Sequence, residues 1–216
     1  MTRAPAGLRD ALVWGGVALL PTDTVYGLAA WLDSRPGVEA LYALKGRPRD
    51  QPCQVLVFSR PLLGEALAGL DPAVRYAAAA LLPGPTTCLL PDPRGRYAAA
   101  AGTSAGSVGL RAPSATGPLA GFDLPLVATR ANRPGDREPA TLDAVSEGLR
   151  AGCAAVVDGG PLPGTASAVV DLRGVAEGGP ALLVRPGPDP EAVARALAGA
   201  GCTLDPADHD ARGAPA

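Results

Sequence analysis

The sequence predicts an α/β layer fold built on a mixed sheet. Short apolar runs with strand character recur along the 216 residues, and helix start and stop signals fall between them. The two kinds of element do not alternate strictly, as they would in an all-parallel sheet. The phosphate-holding signatures GxGxxG and GxxxxGK[ST] are also missing.

Residues 1–12 read as a short helix ending near Gly15-Gly16. Val17 to Leu20 has the character of a buried strand, stopped at Pro21, which has no N–H for a ladder. Thr22 and Thr24 put their hydroxyls on one side of extended backbone, and Tyr26 continues that face until Gly27 lets the chain turn. Ser34 caps a helix with Pro36 in its first turn. Val38, Leu41, Tyr42 and Lys45 form its stripe, and Gly46 ends it. A polar loop with Arg47 and Gln51 leads to a strand over Gln54 to Phe58.

Pro61 to Leu70 reads as a helix, and Asp71-Pro72 starts another running to about Leu82. Pro83-Gly84-Pro85 breaks it, and Thr86 to Leu90 is a strand opening on two hydroxyls. Residues 91–106 are rich in Pro, Gly, Ala and Ser and read as a flexible loop and candidate lid. Strands follow at Ser107 to Arg111 and Pro125 to Thr129, the latter leading into the polar turn 130–135. Thr141 caps a helix to about Arg150. Strands at Ala154 to Asp158, Ser167 to Leu172 and Ala181 to Arg185 come next, and Asp189-Pro190 caps a last helix to about Ala200. One domain over residues 1–200 is expected, with a disordered polar tail at 201–216.

Hydrophobic residues make up 47% of the chain and aromatics 4%, so the core must be built of Ala, Val and Leu. A net charge of −2 provides no global basic field, which argues against a large nucleic-acid surface. Cys53, Cys88, Cys153 and Cys202 form no CxxC pair, and Met1 to Trp14 does not resemble a signal peptide. A reduced, cytoplasmic protein is expected, and no run reaches the length of a membrane span. The single histidine, His209, lies in the polar tail, which argues against a zinc site or a histidine-based triad. Chemistry must then rest on placed charges, hydroxyls and any metal carried by substrate phosphates.

Lys45 is the only lysine among 19 Lys and Arg residues. A chain that uses arginine so freely is expected to keep lysine where a compact ammonium with three donors is needed. Arg47, two residues on, supplies the bidentate fork that lysine lacks. Together they read as an anion clamp; the plain alternative is a helix C-terminus, where any cation is favoured.

One grammar recurs: a short apolar strand begins or ends on a hydroxyl or a guanidinium beside Pro or Gly. It appears at Thr22/Thr24, Thr86/Thr87, Arg111, Thr129 to Asn132, Ser167 and Arg185. Gathered on one rim of a sheet, such strand ends would form a cleft. A ligand both anionic and rich in hydrogen-bonding groups would suit it, such as a nucleoside triphosphate beside an amino acid. Taken singly, each Thr or Ser is also a common turn former.

The ordered motifs are Pro21-Thr-Asp-Thr-Val-Tyr-Gly-Leu28, Lys45-Gly-Arg-Pro48, Leu82-Pro-Gly-Pro-Thr-Thr87, Val108-Gly-Leu-Arg-Ala-Pro113, Ala131-Asn132, Ser167-Ala-Val-Val-Asp-Leu172 and Leu183-Val-Arg-Pro-Gly187. In series they resemble the YrdC/TsaC family, the threonylcarbamoyl-AMP synthases, over about residues 10–190. The resemblance implies a twisted, mixed open α/β sheet with helices packed on it and a concave, positive cavity. It implies a nucleotidyltransferase that joins L-threonine, bicarbonate and ATP into threonylcarbamoyl-adenylate and pyrophosphate, the first step toward t6A at position 37 of tRNA. Thr24, Thr87, Arg111 and Ser167 would hold threonine. Lys45, Arg47, Gln51, Pro83, Pro113, Arg130, Asn132 and Arg185 would line the ATP side, with Lys45 and Arg47 nearest the chemistry. Mg2+ would arrive on the phosphates, no protein-held metal is expected, and the t6A-transferase complex would receive the adenylate. The shorter family form, without an extra C-terminal domain, is implied.

The chain departs from the family pattern at Arg130, where Ser is usual, and at Leu56, where His is common; Gln51 and Ala168 differ more mildly. Arg130 could point outward, reach the phosphates or cross the nucleotide's path. Two other readings stay open: a paralogue making a different carbamoyl or acyl adenylate, and a tRNA- or double-stranded-RNA-binding module using Arg130, Arg133 and Arg137 with Arg47 and Arg49.

Overall fold

The computed structural model describes residues 7–114, 117–133 and 135–206. One mixed sheet runs through them. Its strands are β1 (Ala18–Pro21), β2 (Tyr26–Trp31), β3 (Gln54–Leu56), β4 (Thr86–Pro91), β5 (Ser107–Arg111), β6 (Leu126–Arg130), β7 (Ala155–Val156), β8 (Ala168–Asp171), β9 (Ala181–Arg185) and β10 (Leu204–Pro206). They lie in the order β10-β9-β8-β4-β5-β3-β6-β2-β1-β7. Parallel pairs β10/β9, β8/β4, β5/β3 and β1/β7 are interspersed with antiparallel ones, so the sheet is mixed as the sequence predicts.

Helices α1 (Leu8–Val13), α2 (Arg35–Lys45), α3 (Arg60–Ala68), α4 (Pro72–Leu81), α5 (Ala98–Ala101), α6 (Glu147–Ala151) and α7 (Pro190–Gly199) complete the described elements, with short 3-10 turns at Leu142–Ala144 and Val175–Glu177. Their starts follow the sequence signals. Ser34, Ser59, Asp71 and Asp189 each accept a backbone N–H at an N-terminus, with Pro in the first turn. Such caps contribute about 1 kcal/mol each. Gly46, at φ 64, gives α2 its left-handed stop.

The strands alternate between two buried clusters. Leu19, Leu28, Val55, Cys88, Leu110, Val127 and Val170 face the larger cluster, beneath Val38 and Leu41 of α2, Leu63 of α3, Ala77 of α4 and Leu197 of α7. Each such buried Leu or Val contributes roughly 1.5–3 kcal/mol. Leu20, Ala29, Leu56 and Leu126 face the other way, beneath α1 and the segment containing Leu119, Phe122 and Leu124. That second layer covers only part of its face. Over β3, β5, β4 and β8 the sheet is left open, and a cavity forms there.

Several expectations need correction. The sequence reading places a turn at Gly27, but Tyr26–Trp31 is strand β2, a hairpin partner of β1. Its residues are buried from both sides, so the run carries no period-2 signal. The single helix expected after Thr141 is a 3-10 turn, capped by Thr141, followed by the short α6. The expected disordered tail begins with an ordered strand: β10 pairs in parallel with β9, and residues 207–216 lie outside the described residues. Residues 91–106 are fastened rather than loose. Buried Asp92 accepts the N–H groups of Arg96 and Tyr97, and Thr103 N donates to Asp50 O at 2.8 Å. Gly102 makes that approach feasible, since a Cβ there would sit 2.4 Å from Asp50 O. Among the described residues no helix is long and apolar enough to cross a membrane.

Candidate functional site

The cavity has a volume of about 320 Å³. Its floor is the open sheet face, including Gln54, Gly109, Ala128 and Val169. The floor is low because Gly109 has no side chain where Thr87, Leu89 and Gln54 crowd round. Five guanidiniums line it: Arg47, Arg111, Arg130, Arg173 and Arg185.

Thr87 and Arg111 are register partners across β4 and β5, so their side chains share the cavity face. Ser167, just before β8, brings its Oγ 3.1 Å from Thr87 Oγ1. Thr87 donates to Gln54 Oε1 at 3.1 Å, and Arg185 donates to Ser167 Oγ at 3.3 Å and to Ser167 O at 2.8 Å. With the Thr87 proton engaged on Gln54, Ser167 must be the donor between the two hydroxyls. The chain Arg185→Ser167→Thr87→Gln54 thus leaves hydroxyl lone pairs, not protons, for a ligand.

Arg111 is 2% exposed. It donates to Thr24 Oγ1 at 2.6 Å and forms an ion pair with Asp23, whose other oxygen accepts from Ser114 N at 2.9 Å. Burial pulls the Arg111 guanidinium below its ordinary value, and Asp23 opposes this. Its buried Nε finds no partner among the described residues. Thr22 keeps its hydroxyl on the Thr24 side, as expected, with the two oxygens 3.1 Å apart and Arg111 donating to Thr22 at 3.4 Å; it also builds the β1–β2 turn, donating to Val25 O at 2.7 Å and accepting from Val25 N.

The sequence reading has Lys45 and Arg47 side by side on an anion; the two cations are close enough to feel each other, but they do not both face the cavity. Lys45 is absent from the cavity lining, while Arg47 is part of it. The ammonium lies behind the end of β6 and donates to Arg130 O at 2.9 Å, to Asn132 Oδ1 at 2.9 Å and to Asn132 O. A buried ammonium must find acceptors for its three donors, and the nearest are main-chain carbonyls. Burial, with Arg130 and Arg47 nearby, lowers Lys45 to about 8. Arg47 donates to Pro52 O at 2.6 Å.

Arg130 turns into the cavity lining and pairs with Glu138. The strand ends meet in one cavity, but they come to it from two levels of the ladder. Leu56 is opposite both Arg111 and Leu126, so Thr87, Arg111, Ser167 and Arg185 stand at one end of the face, while Arg130, at the far end of β6, stands at the other. Four residues of strand, roughly 13 Å, separate the two levels. The cause is the mixed sheet, because only parallel strands put all their C-terminal ends on one side.

Other predicted residues fall elsewhere. Pro83 and Pro113 line a separate groove with Phe58 and Arg60. Gln51 is exposed and uses its carbonyl to accept from Tyr42 Oη at 3.1 Å. Asn132 holds Lys45 and donates to Asp136 O. Leu56 is buried beneath the second apolar layer. The sequence reading missed Gln54, Asp23, Glu138 and Arg173. Asp23 lay inside a quoted motif. Arg173 follows another directly, held bidentate by Asp171 at 2.9 and 2.6 Å, which raises its pKa. Glu138 carried no signal.

Arg47, Thr87, Arg111, Ser167 and Arg185 sit on motifs spread from residue 21 to residue 187, and one family model, described as telomere recombination and covering Sua5, YciO and YrdC proteins, matches residues 10–187. The chain belongs to this family. A threonylcarbamoyl-AMP synthase of Marinobacter nauticus is 34% identical over 61% of this chain and 70% of its own length. A protein of Mycobacterium tuberculosis named as a putative threonylcarbamoyl-AMP synthase is 32% identical over 82% of this chain and 81% of its own. Other family members are longer: the chain spans 43% and 51% of the Bacillus subtilis and Pyrococcus abyssi synthases. The structure of P. abyssi Sua5 complexed with L-threonine matches with a TM-score of 0.76 and 28% identity, over 91% of this chain and 57% of that one. Escherichia coli YciO shares the fold, with a TM-score of 0.68 at 19% identity over 83% of this chain and 87% of its own.

Proposed function

We propose that this protein is an L-threonylcarbamoyladenylate synthase. The observation that carries the reading is the Thr87–Ser167 hydroxyl pair beside Arg111. Two hydroxyls that offer lone pairs suit an ammonium or a hydroxyl, and the Arg111 guanidinium in the cavity lining suits a carboxylate. Together these match an α-amino acid, and the likeness to the threonine-complexed Sua5 supports threonine. Thr24, which already accepts from Arg111, would complete that end.

ATP would occupy the rest of the cavity as its magnesium complex, with Arg47, Arg130 and Arg185 toward the phosphates. The Mg2+ would arrive bound to the triphosphate. The threonine amine adds to the carbon of CO2 with loss of a proton, or to bicarbonate with loss of water, to give a carbamate. A carbamate oxygen then attacks the α-phosphorus, and pyrophosphate leaves. The protein's part is to position the reactants and neutralise charge. Lys45 acts one step back, holding the β6 exit that carries Arg130. The adenylate would pass, in the cytoplasm, to the complex that installs t6A on tRNA.

The test is pyrophosphate release by the purified chain with L-threonine, bicarbonate and MgATP. Release should need all three. Release that is indifferent to threonine would favour the paralogue, and none at all would overturn the reading.

A further inference from the structure

Arg130 is the cavity's departure from the family pattern, and Glu138 is its ion-pair partner. Both side chains are mostly sheltered, at 31% and 21% exposure. Glu138 is held in place by its neighbour: Pro139 O accepts from Tyr26 N at 2.9 Å, at the start of β2. Arg130 is anchored from behind, since Lys45 donates to its carbonyl. The backbone is therefore held at Arg130 and beside Glu138. Glu138 is also the acid that offsets Arg130 at Arg185, whose pKa is lowered by burial first and by Arg130 next. Glu138 thus stands against Arg130 where an anionic ligand would bring its own charge.

We propose that Glu138 sets the cavity's affinity for nucleotide phosphates: it holds Arg130 in the empty protein, and a phosphate oxygen displaces it. This rests on the synthase reading for the identity of the ligand, but not for the exchange itself. A carboxylate and a phosphate compete for the same guanidinium, here held by Glu138 through Arg130 Nη1. The guanidinium is released only as far as the incoming anion binds it better than Glu138 does.

The test is calorimetric binding of MgATP and, separately, of inorganic tripolyphosphate to the full chain, in wild type, Glu138→Gln, Arg130→Ser and the double variant. Glu138→Gln should bind either anion about two- to fivefold more tightly, the range expected of a partly exposed ion pair. Arg130→Ser should bind more weakly, and adding Glu138→Gln to it should change nothing further. Equal or weaker binding by Glu138→Gln would overturn the proposal. So would tighter binding by Arg130→Ser, which would make Arg130 an obstruction. Tripolyphosphate binding with this pattern, without MgATP binding, would uphold the exchange and sink the synthase reading. Binding of neither anion by any form would sink both.

Discussion

Lys45 Nζ donates to Asn132 Oδ1 at 2.9 Å, joining the end of α2 to the turn after β6 across 87 residues of sequence. The same ammonium meets the carbonyls of Arg130 and Asn132. Lys45→Met should therefore leave three acceptors without donors and lower stability by about 1–3 kcal/mol. Urea unfolding measures this, and an unchanged midpoint would refute the bracing role.

The pH dependence of that loss has a definite sign. Folding lowers Lys45 to about 8, against about 10.4 in an unfolded chain. Between those values the unfolded state holds the extra proton, so the lysine's contribution to stability rises with pH. The stability difference between wild type and Lys45→Met should grow from pH 8 to pH 10. A flat difference would mean that the folded-state value is not lowered.

Ser167→Ala removes the link between Arg185 and Thr87 and leaves the fold's apolar core untouched. The KM for L-threonine should rise about tenfold or more, with the melting temperature nearly unchanged. Equal loss at saturating threonine and at low threonine would instead assign the hydroxyl to the chemical step.

Asp23→Asn should leave the Arg111 guanidinium buried without its counter-charge. Breaking one side of a buried pair costs about 3–5 kcal/mol. Saturating L-threonine should restore part of this, because its carboxylate would replace the lost partner. Unfolding curves with and without threonine should show it stabilising Asp23→Asn more than wild type; an equal or smaller gain would mean that its carboxylate does not take the place of Asp23.

Gly109→Ala separates fold from site. The new methyl would make ordinary contacts, at 3.4 Å to Thr87 Cγ2 and 3.6 Å to Leu89 Cδ2, so the strand should be at least as stable as before. It would raise the cavity floor, so substrate KM values should increase. Unaltered KM values would show that ligands do not reach the floor.

Much of this molecule could be read in advance where the signal is local. Ser34 with Gly46, and Asp71 with Pro72, mark helices through chemistry within a few residues. The cavity groups Arg47, Thr87, Arg111, Ser167 and Arg185 were found because each sits in a motif that holds its order along the chain. What stayed hidden depends on distance. Asp23 meets Arg111 across 88 residues, and Thr87 meets Gln54 across 33. Lys45 was singled out for its rarity, but rarity cannot tell a ligand from a buried brace. Nor could a string of strands reveal that β6 runs opposite to β3 and carries Arg130 to the far end.

Strand β8 slots between β4 and β9 and runs parallel to β4, although some 80 residues separate Thr86 from its partner Ala168. During synthesis, β4 and β5 can pair as soon as they emerge, but one flank of β4 then waits bare until β8 has been made. A long wait with an open strand edge invites pairing with the wrong chain. A nascent chain that ends before residue 168 should therefore be prone to self-association, whatever the solubility of the finished protein.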